Sequence, residues 1–287
     1  MTIRNPVEWG ADFLSGVAHG LGAAGQDIYR EEEIYTETRP AIRRIALSDL
    51  REALARGFHD FTACRSDVVF LCLIYPLIGL VLGRAAMAGD MLPMIFPLAS
   101  GFALIGPLVG VGLYEMSRRR EQGLPVDWRK AFGVLRAPSI AGILLLGLVL
   151  VFVFFAWQYA ALAVYDATLG PAAPASLGAF LHDVLNTSEG LTMTLAGVAV
   201  GFVFALAVLT VSVVSFPMMV DRHTRIDVAV ATSLRAVAAN PGPMAAWGAV
   251  VAGLLVLGTI PFFAGLVVVL PVLGHATWHL YRRVVAR

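Results

Sequence analysis

Charge is what this sequence most clearly lacks. Charged residues make up 14% of the 287 residues, whereas a soluble domain carries about 25%. Hydrophobic residues make up 58%, and the mean hydropathy is +0.77. These values place the chain among integral membrane proteins. The net charge of +1 also offers no electrostatic basis for a nucleic-acid partner.

Cysteine is scarce as well. The two cysteines are Cys64 and Cys72. On a helix they would lie roughly 12 Å apart along the axis, which is too far for a disulfide. We therefore expect neither a disulfide nor a cysteine metal motif. The first apolar run starts only near residue 68, behind a charged segment, so we expect no cleaved signal peptide.

Long apolar runs are what the sequence has instead. A bilayer core requires about 20 apolar residues per helix. Six segments approach or exceed this length, namely 68–88, 92–114, 139–165, 191–218, 243–259 and 262–281. We therefore predict an all-α integral membrane protein with six transmembrane helices. The last two segments share one stretch that is uncharged almost to its end, and a single short re-entrant hairpin is the alternative there.

The cationic residues fall on one side of the predicted spans. The segment before the first span, the second-to-third loop, the fourth-to-fifth loop and the tail are rich in arginine, whereas residues 166–189 contain no lysine or arginine. Because cationic segments stay in the cytoplasm, both termini are predicted to be cytoplasmic. Arg84 lies on the opposite side, but its long side chain can reach the interface from a helix end. We assign residues 1–45 to a cytoplasmic N-terminal arm and residues 46–287 to a six-helix membrane domain.

The predicted spans form pairs that resemble one another. Each odd-numbered span follows a short amphipathic segment, and these segments read DLREALARGFHDF, DWRKAFGVLRAPS and DVAVATSLRAVAANPGP. Each even-numbered span has a proline near its cytoplasmic end, at Pro107, Pro217 or Pro271. We predict three hairpin repeats, each preceded by a short cytoplasmic interfacial helix. The alternative is that any proline-kinked span ending in arginine produces this pattern.

The first amphipathic segment has an apolar stripe at helical spacing. The predicted stripe consists of Leu50, Leu54, Phe58 and Phe61. Asp60 falls on the polar side in this interpretation. We therefore expect the stripe to face the membrane or the rest of the protein.

Four stretches resemble a known bacterial family: SGFALIGPLVGVGLYEMSRR, VVSFPMMVDR, SLRAVAANPGPM and LGHATWHLYR. It is an uncharacterised family of integral membrane proteins with a domain of unknown function. The resemblance covers roughly residues 40–285 and implies a bacterial inner-membrane protein, but it implies no catalytic residues. Some members are labelled cytochrome c oxidase subunit I. An oxidase core needs histidine ligands on several spans, whereas here only His275 and His279 are near a predicted membrane helix.

These two histidines lie four residues apart, a spacing that can chelate a metal on one helix face. Ala276 stands where a hydrolytic zinc motif has its glutamate, and a single helix cannot supply both axial ligands of one haem. We therefore predict no metal and no cofactor. A proton or ligand contact and a metal site stay open as alternatives. Glu115 is the candidate third ligand, since it ends the second span at a matching depth; a solvated end paired with the arginines beside it is the other interpretation.

The residues around the histidines suit a membrane interface. Trp278 and Tyr281 have the amphipathic rings typical of the headgroup belt, and Arg282 and Arg283 suit cytoplasmic phosphates. We therefore predict that these four residues are interfacial anchors of the sixth span.

Small and hydroxyl residues suggest two further features. Thr210, Ser212 and Ser215 could line a polar track in the fourth span, or could bond to carbonyls of their own helix. Two glycine pairs at GxxxG spacing predict close helix packing, either within the chain or between copies. These pairs are Gly106 with Gly110 and Gly197 with Gly201.

What is missing decides the functional prediction. The predicted spans carry no charge at the midplane, and the sequence shows no nucleotide motif, metal cluster or nucleophile constellation. We therefore predict a non-enzymatic membrane scaffold or accessory subunit, in contact with the bilayer and with a membrane-protein partner or another copy of itself. A channel or transporter for a small solute is the alternative, because the many prolines and glycines permit broken helices. A metal or redox protein is the remote alternative.

Overall fold

The computed structural model describes residues 40–64, 84, 92–170, 172–260 and 264–286. Most of the N-terminal arm and nearly all of the first predicted span lie outside these ranges. The described part is helical, and its one extended pairing is an isolated antiparallel bridge between Ile42 and Val285. Its α-helices are α1 Leu47–Ala63, α2 Ile95–Val109, α3 Val111–Glu121, α4 Trp128–Ala131, α5 Ile140–Thr168, α6 Leu177–Asn186, α7 Ser188–Ser212, α8 Ser215–Arg222, α9 Ile226–Ala239, α10 Pro241–Thr259 and α11 Leu266–Val284. Two 3-10 helices, Leu92–Met94 and Phe132–Arg136, precede α2 and α5.

Four described helical segments are long and apolar enough to cross a membrane. They are Leu92–Glu121 (α2 and α3), Ile140–Thr168 (α5), Ser188–Arg222 (α7 and α8) and Pro241–Thr259 (α10). Large apolar side chains on their outer faces are exposed, among them Phe152, Tyr159 and Phe202. These faces suit lipid contact, because the hydrocarbon core accepts apolar side chains without cost.

The second predicted span is interrupted near its predicted end. Helix α2 ends at Val109, and α3 begins at Val111 and continues to Glu121. Pro107 lies inside α2, three residues before the interruption, and the Gly110 amide still donates to the Gly106 carbonyl at 2.8 Å.

A second interruption separates α7 from α8. Pro217 explains its position, because this proline has no amide to donate to the Val213 carbonyl and its ring would clash with that carbonyl in a continuous helix. In a continuous helix, the Val214 amide would donate to the Thr210 carbonyl. Here the hydroxyl of Ser233, on α9, stands between them. It donates to the Thr210 carbonyl at 2.7 Å and lies 3.3 Å from the Val214 nitrogen as acceptor. One serine from another helix therefore provides a partner for both of these backbone groups.

The sixth predicted span coincides with α11, but α11 is not among the four candidate spans. Its first half is apolar, whereas its second half contains His275, His279, Arg282 and Arg283. That second half is packed inside the protein, with Ala276, Leu280 and Val284 among its fully buried residues. Six spans and their arrangement as repeats therefore stay predictions.

Three helical segments pack against one another, namely α3, α8 and residues 274–284 of α11. Helix α1 packs against α11 as well. We call these four segments the basal cluster. Met116, Phe216 and Trp278 are fully buried among them. Gly57 allows α1 to approach closely, because a Cβ atom there would lie 2.5 Å from the Ala276 nitrogen. Gly274 likewise allows α11 to approach α3 closely, because a Cβ atom there would overlap the Leu113 side chain.

Candidate functional site

Asp60 is the centre of a polar network in the basal cluster. Its side chain lies on the face of α1 that packs on α11, and the residue is only 5% exposed. The Oδ2 atom accepts a hydrogen bond from Ser117 Oγ at 2.7 Å and another from His279 Nε2 at 2.8 Å. The Oδ1 atom lies 2.9 Å from Arg120 Nε. One carboxylate thus joins three helices, α1, α3 and α11.

The network keeps Asp60 ionised. Burial on its own would raise the pKa of Asp60, but the hydrogen bonds from His279 and Ser117 and the charge of the imidazoles outweigh burial, so the pKa falls below 3.8. An ionised carboxylate only accepts hydrogen bonds, so His279 Nε2 and the Ser117 hydroxyl both carry the protons they donate.

His275 joins the same network one step further in. Its Nδ1 atom lies 2.7 Å from Ser117 Oγ, and the residue is 1% exposed. Because the single Ser117 proton is donated to Asp60, Ser117 Oγ accepts from His275, which must carry its proton on Nδ1. The order of donation therefore runs from His275 to Ser117 to Asp60.

The two histidines do not converge on one point, although they share a helix face. His279 contacts Asp60 directly, while His275 reaches it through Ser117. Glu115, the predicted third ligand, pairs instead with Arg118 at 2.7 Å and with Arg119 at 3.7 Å on its own helix. Within the described residues, no three His, Cys, Asp or Glu side chains are grouped as metal ligands.

Asp60 and Ser117 were not identified from the sequence as functional candidates. The predicted stripe on α1 was displaced, because Phe58 is exposed and Asp60 is buried. The buried face is formed by Leu50, Ala53, Gly57, Asp60 and Phe61. The small residues Ala53 and Gly57, at helical spacing, are the signal that could have revealed this face.

The four predicted anchors make their observed contacts inside the protein. Trp278 and Tyr281 are each 1% exposed, and their polar atoms donate to Glu121 at 3.2 Å and to Asp221 at 2.7 Å. The anchor role stays a prediction.

The two neighbouring arginines pair with carboxylates from other helices. Arg282 lies 2.9 Å from Glu121 and 3.1 Å from Asp221, so it joins α11 to both α3 and α8. Arg283 pairs with Asp49 and Glu52 of α1. These ion pairs hold the basal cluster together from several directions.

Two clefts lie at the basal cluster. The larger, about 470 Å³, is lined by Arg118, Glu121, Gln122, Asp221, Arg222, Trp278 and Arg282. The smaller, about 280 Å³, borders the Asp60 network on α1, α3 and α11. Acidic and basic side chains are mixed in both.

The three hydroxyls of the predicted polar track bond within their own chain segment. Thr210 donates to the Leu206 carbonyl at 2.6 Å, and Ser212 donates to the Val208 carbonyl at 2.5 Å. Ser215 donates to the Val211 carbonyl. Each bond reaches back four residues. This is the pattern expected if the hydroxyls bond to carbonyls of their own helix, which was the alternative to a polar track.

The four glycines differ in what surrounds them. A Cβ atom at Gly201 would lie 3.1 Å from the Trp157 ring, and one at Gly110 would meet Tyr114 of the next turn. A Cβ atom at Gly106 or Gly197 would meet no atom within 4 Å among the described contacts. Helix packing within the chain is therefore visible at Gly201 but not at Gly106 or Gly197.

Comparison with known proteins supports the membrane assignment. Residues 95–221, from α2 to α8, match the family model described as "Predicted integral membrane protein (DUF2189)". The match confirms the resemblance to an uncharacterised membrane family over these residues. No curated protein and no solved structure matches the chain. The chain is thus a predicted integral membrane protein with apolar helices.

Proposed function

We propose that the chain is a non-enzymatic, multi-pass protein of the bacterial inner membrane that serves as a scaffold or accessory subunit of a membrane assembly. The observation that carries this proposal is the closure of the basal cluster by α1 and α11. Helix α1 belongs to the first proposed repeat and α11 to the third. Their contact makes the domain a closed unit suited to holding other components.

The closure involves the backbone as well as the side chains. The Arg43 amide donates to the Val284 carbonyl at 2.8 Å, and the Ala286 amide donates to the Ala41 carbonyl at 3.0 Å. Asn240, at the end of α9, accepts from the Ile45 amide at 2.8 Å and donates to the Arg43 carbonyl at 3.1 Å. The segment before α1 is therefore tied to two later parts of the domain.

The contacts between helices follow a cyclic order that supports three repeats. Helix α4 packs on α3, α9 packs on α8, and α1 packs on α11. Each interfacial helix thus contacts the end of the repeat before it, and the first contacts the end of the third. Three equivalent units arranged in a ring have this order of contacts.

Three arginines strengthen the same argument. Gly110 and Val214 precede α3 and α8, and Gly274 is the corresponding residue of α11 if the helix ends are aligned. Eight residues further on stand Arg118, Arg222 and Arg282. All three line the larger cleft. Equivalent positions of a threefold repeat would converge in this way.

The polar groups favour a structural role over a route for solutes. Both clefts lie at the basal cluster, and the carboxylates there are bonded to arginine, histidine, serine, tyrosine or tryptophan. The interruptions after Val109 and Ser212 occur where the helices enter this cluster. Broken helices in transporters instead place their ends near the bilayer midplane.

The scaffold proposal is tested by purification in mild detergent and by reconstitution. We expect native mass spectrometry to find a defined stoichiometry, either with a second membrane protein or as a homo-oligomer. Reconstituted vesicles should be no more permeable to ions and small solutes than empty vesicles. Arg283→Ala should weaken the assembly, whereas Arg44→Ala, at an exposed position, should not. A monomer that carries a solute across vesicle membranes would contradict the proposal.

The proposed orientation has a separate test. In a variant with Cys64 and Cys72 replaced by serine, single cysteines are placed by Ala173→Cys and Arg119→Cys. An impermeant maleimide added to intact cells should label position 173 only. Labelling at position 119 would overturn cytoplasmic termini.

A further inference from the structure

We propose that α6 lies on the surface of the bilayer at the end of the domain opposite the basal cluster, with its leucine side in the lipid. Helix α5 starts next to the basal cluster and α7 runs back towards it, so α6, between them, lies at the far end of both. A single residue, Thr187, separates α6 from α7. Helix α6 is therefore at the level where a membrane span begins.

The surface of α6 has two apolar sides with different surroundings. Phe180 and Val184 are partly buried, and the Phe180 ring lies 6.4 Å from the Tyr165 ring of α5. Leu177, Leu181 and Leu185 form a second stripe, and their exposed fractions are 41%, 47% and 76%. At successive spacings of four residues, these leucines lie on one side of the helix. Among the described residues, packing covers the first side and leaves the second exposed.

The exposed leucines continue a surface that already suits lipid. Helix α7 begins immediately after α6, and its exposed Leu191 and Leu195 belong to a candidate membrane span. The leucine side of α6 would therefore lie at the boundary between the headgroups and the acyl chains of the same leaflet. The remaining side carries His182, Asp183 and Asn186, which would face water.

Packing fixes the orientation of α6. A Cβ atom at Gly190 would lie 2.1 Å from the Asp183 carbonyl oxygen, so the start of α7 touches the backbone of α6. Tyr165 donates to the Ala172 carbonyl at 2.7 Å and holds the connection from α5. The leucine side therefore keeps a fixed direction relative to α5 and α7.

Charge identifies the kind of lipid contact. There is no lysine or arginine between Arg136 and Arg222. Attraction to anionic headgroups, which assists most interfacial helices, is thus missing from α6. Its contact with the bilayer should depend on apolar burial alone, and should be as close in zwitterionic vesicles as in anionic ones.

Spin labelling tests the proposal in the full-length chain. Starting from the variant without native cysteines, labels are attached at Leu181→Cys and Leu185→Cys, with His182→Cys and Asn186→Cys as matched controls. In phosphatidylcholine vesicles, we expect the first two labels to collide more with dissolved oxygen than with a water-soluble nickel chelate. The two controls should show the reverse preference.

Each other outcome contradicts the proposal in a definite way. Preference for the nickel chelate at all four positions would place α6 in water. Low collision with both reagents at positions 181 and 185 would mean that protein covers the leucines. Loss of the oxygen preference on replacing phosphatidylglycerol by phosphatidylcholine, or on adding salt, would mean that charge drives the contact.

A further variant tests the packing between α6 and α7. Gly190→Val should abolish the difference between positions 181 and 182, because packing sets the direction of α6.

Discussion

Polar side chains are satisfied in different ways in α7 and in the basal cluster. In α7, Thr194, Thr210 and Ser212 each donate to a carbonyl of their own helix, four residues back. In the basal cluster, Asp60 and Tyr281 bond to side chains more than fifty residues away. A span can therefore satisfy these groups as soon as its helix forms. The basal cluster can satisfy its polar groups only when distant parts of the chain have met.

Of the changes that test this comparison, removal of the Asp60 carboxylate from the basal cluster should have the largest effect on stability. Asp60→Ala leaves Arg120, His279 and Ser117 without their shared acceptor in a buried position. We expect the free energy of unfolding to fall by about 3–5 kcal/mol, measured by denaturation in mixed micelles. The control is Asp227→Ala, which removes an exposed ion pair with Arg225 and should cost less than about 1 kcal/mol. Equal effects of the two changes would show that the network does not stabilise the fold.

Acid should weaken the same contact in the unmodified chain. The pKa of Asp60 is lower in the folded protein than the 3.8 of a free aspartate. Ionised Asp60 therefore stabilises the fold fully above that unfolded value, and the contribution is lost as the pH falls through the folded pKa. The stability difference between the parent and Asp60→Asn should shrink as the pH falls below about 4.

The next effect concerns the approach of α1 to α11. Gly57→Ala places a Cβ atom 2.5 Å from the Ala276 backbone, so one of the helices must shift. We expect a cost of about 1–3 kcal/mol in the same denaturation measurement. Gly253→Ala, in α10, is the matched control, because a Cβ atom there meets no atom within 4 Å outside its own helix. A destabilised Gly253→Ala with an unaffected Gly57→Ala would reverse the assignment of the tight contact.

A smaller effect is expected at the break between α7 and α8. Ser233→Ala removes the hydroxyl that serves both the Thr210 carbonyl and the Val214 amide. Two buried backbone groups then lack a partner, at a cost of about 1–2 kcal/mol. Ser212→Ala removes only a hydroxyl bonded to its own helix and should cost less. Hydrogen exchange should also become faster at Val214 in Ser233→Ala but not in Ser212→Ala.

The smallest effect should separate the two glycines of α7. Gly201→Ala brings a Cβ atom to 3.1 Å from the Trp157 ring, so we expect a loss of at most about 1 kcal/mol. Gly197→Ala has open space and should be neutral or slightly stabilising, because alanine favours a helix over glycine by about 1 kcal/mol. If Gly197→Ala keeps the fold but lowers the oligomer fraction in light scattering, the packing at Gly197 is between copies.

Four of the predicted span positions agree with candidate membrane-spanning helices, because the length of an uncharged apolar run is a local property. The predicted segment 139–165 corresponds to Ile140–Thr168, and 243–259 corresponds to Pro241–Thr259. The breaks were less predictable. Pro107 and Pro217 lie near the two breaks, but the Ser233 hydroxyl that bonds the backbone at the second break reaches α7 only through tertiary packing.

The polar network could not be predicted in the same way. Which side of α1 is buried depends on α11, more than two hundred residues later in the chain. The spacing of leucine and phenylalanine predicted a buried face that includes Phe58. In the structure, the face that packs on α11 contains Gly57 and Asp60 instead. His275 and His279 were recognised as a pair on one face, but their acceptor lies on a helix that the local pattern did not connect with them.

The pairing of α1 with α11 also has a consequence for biosynthesis. A ribosome reaches Asp60 long before it reaches His279, and at about 5–20 residues per second the interval is roughly 10–45 seconds. During that time Asp60 and Gly57 have no partner from α11, so nascent chains expose a helix face that the finished domain covers. A chain truncated before Gly274 would keep that face exposed permanently. We expect such chains to be recognised by chaperones or membrane proteases, which would make the last helical turns a checkpoint for completed synthesis.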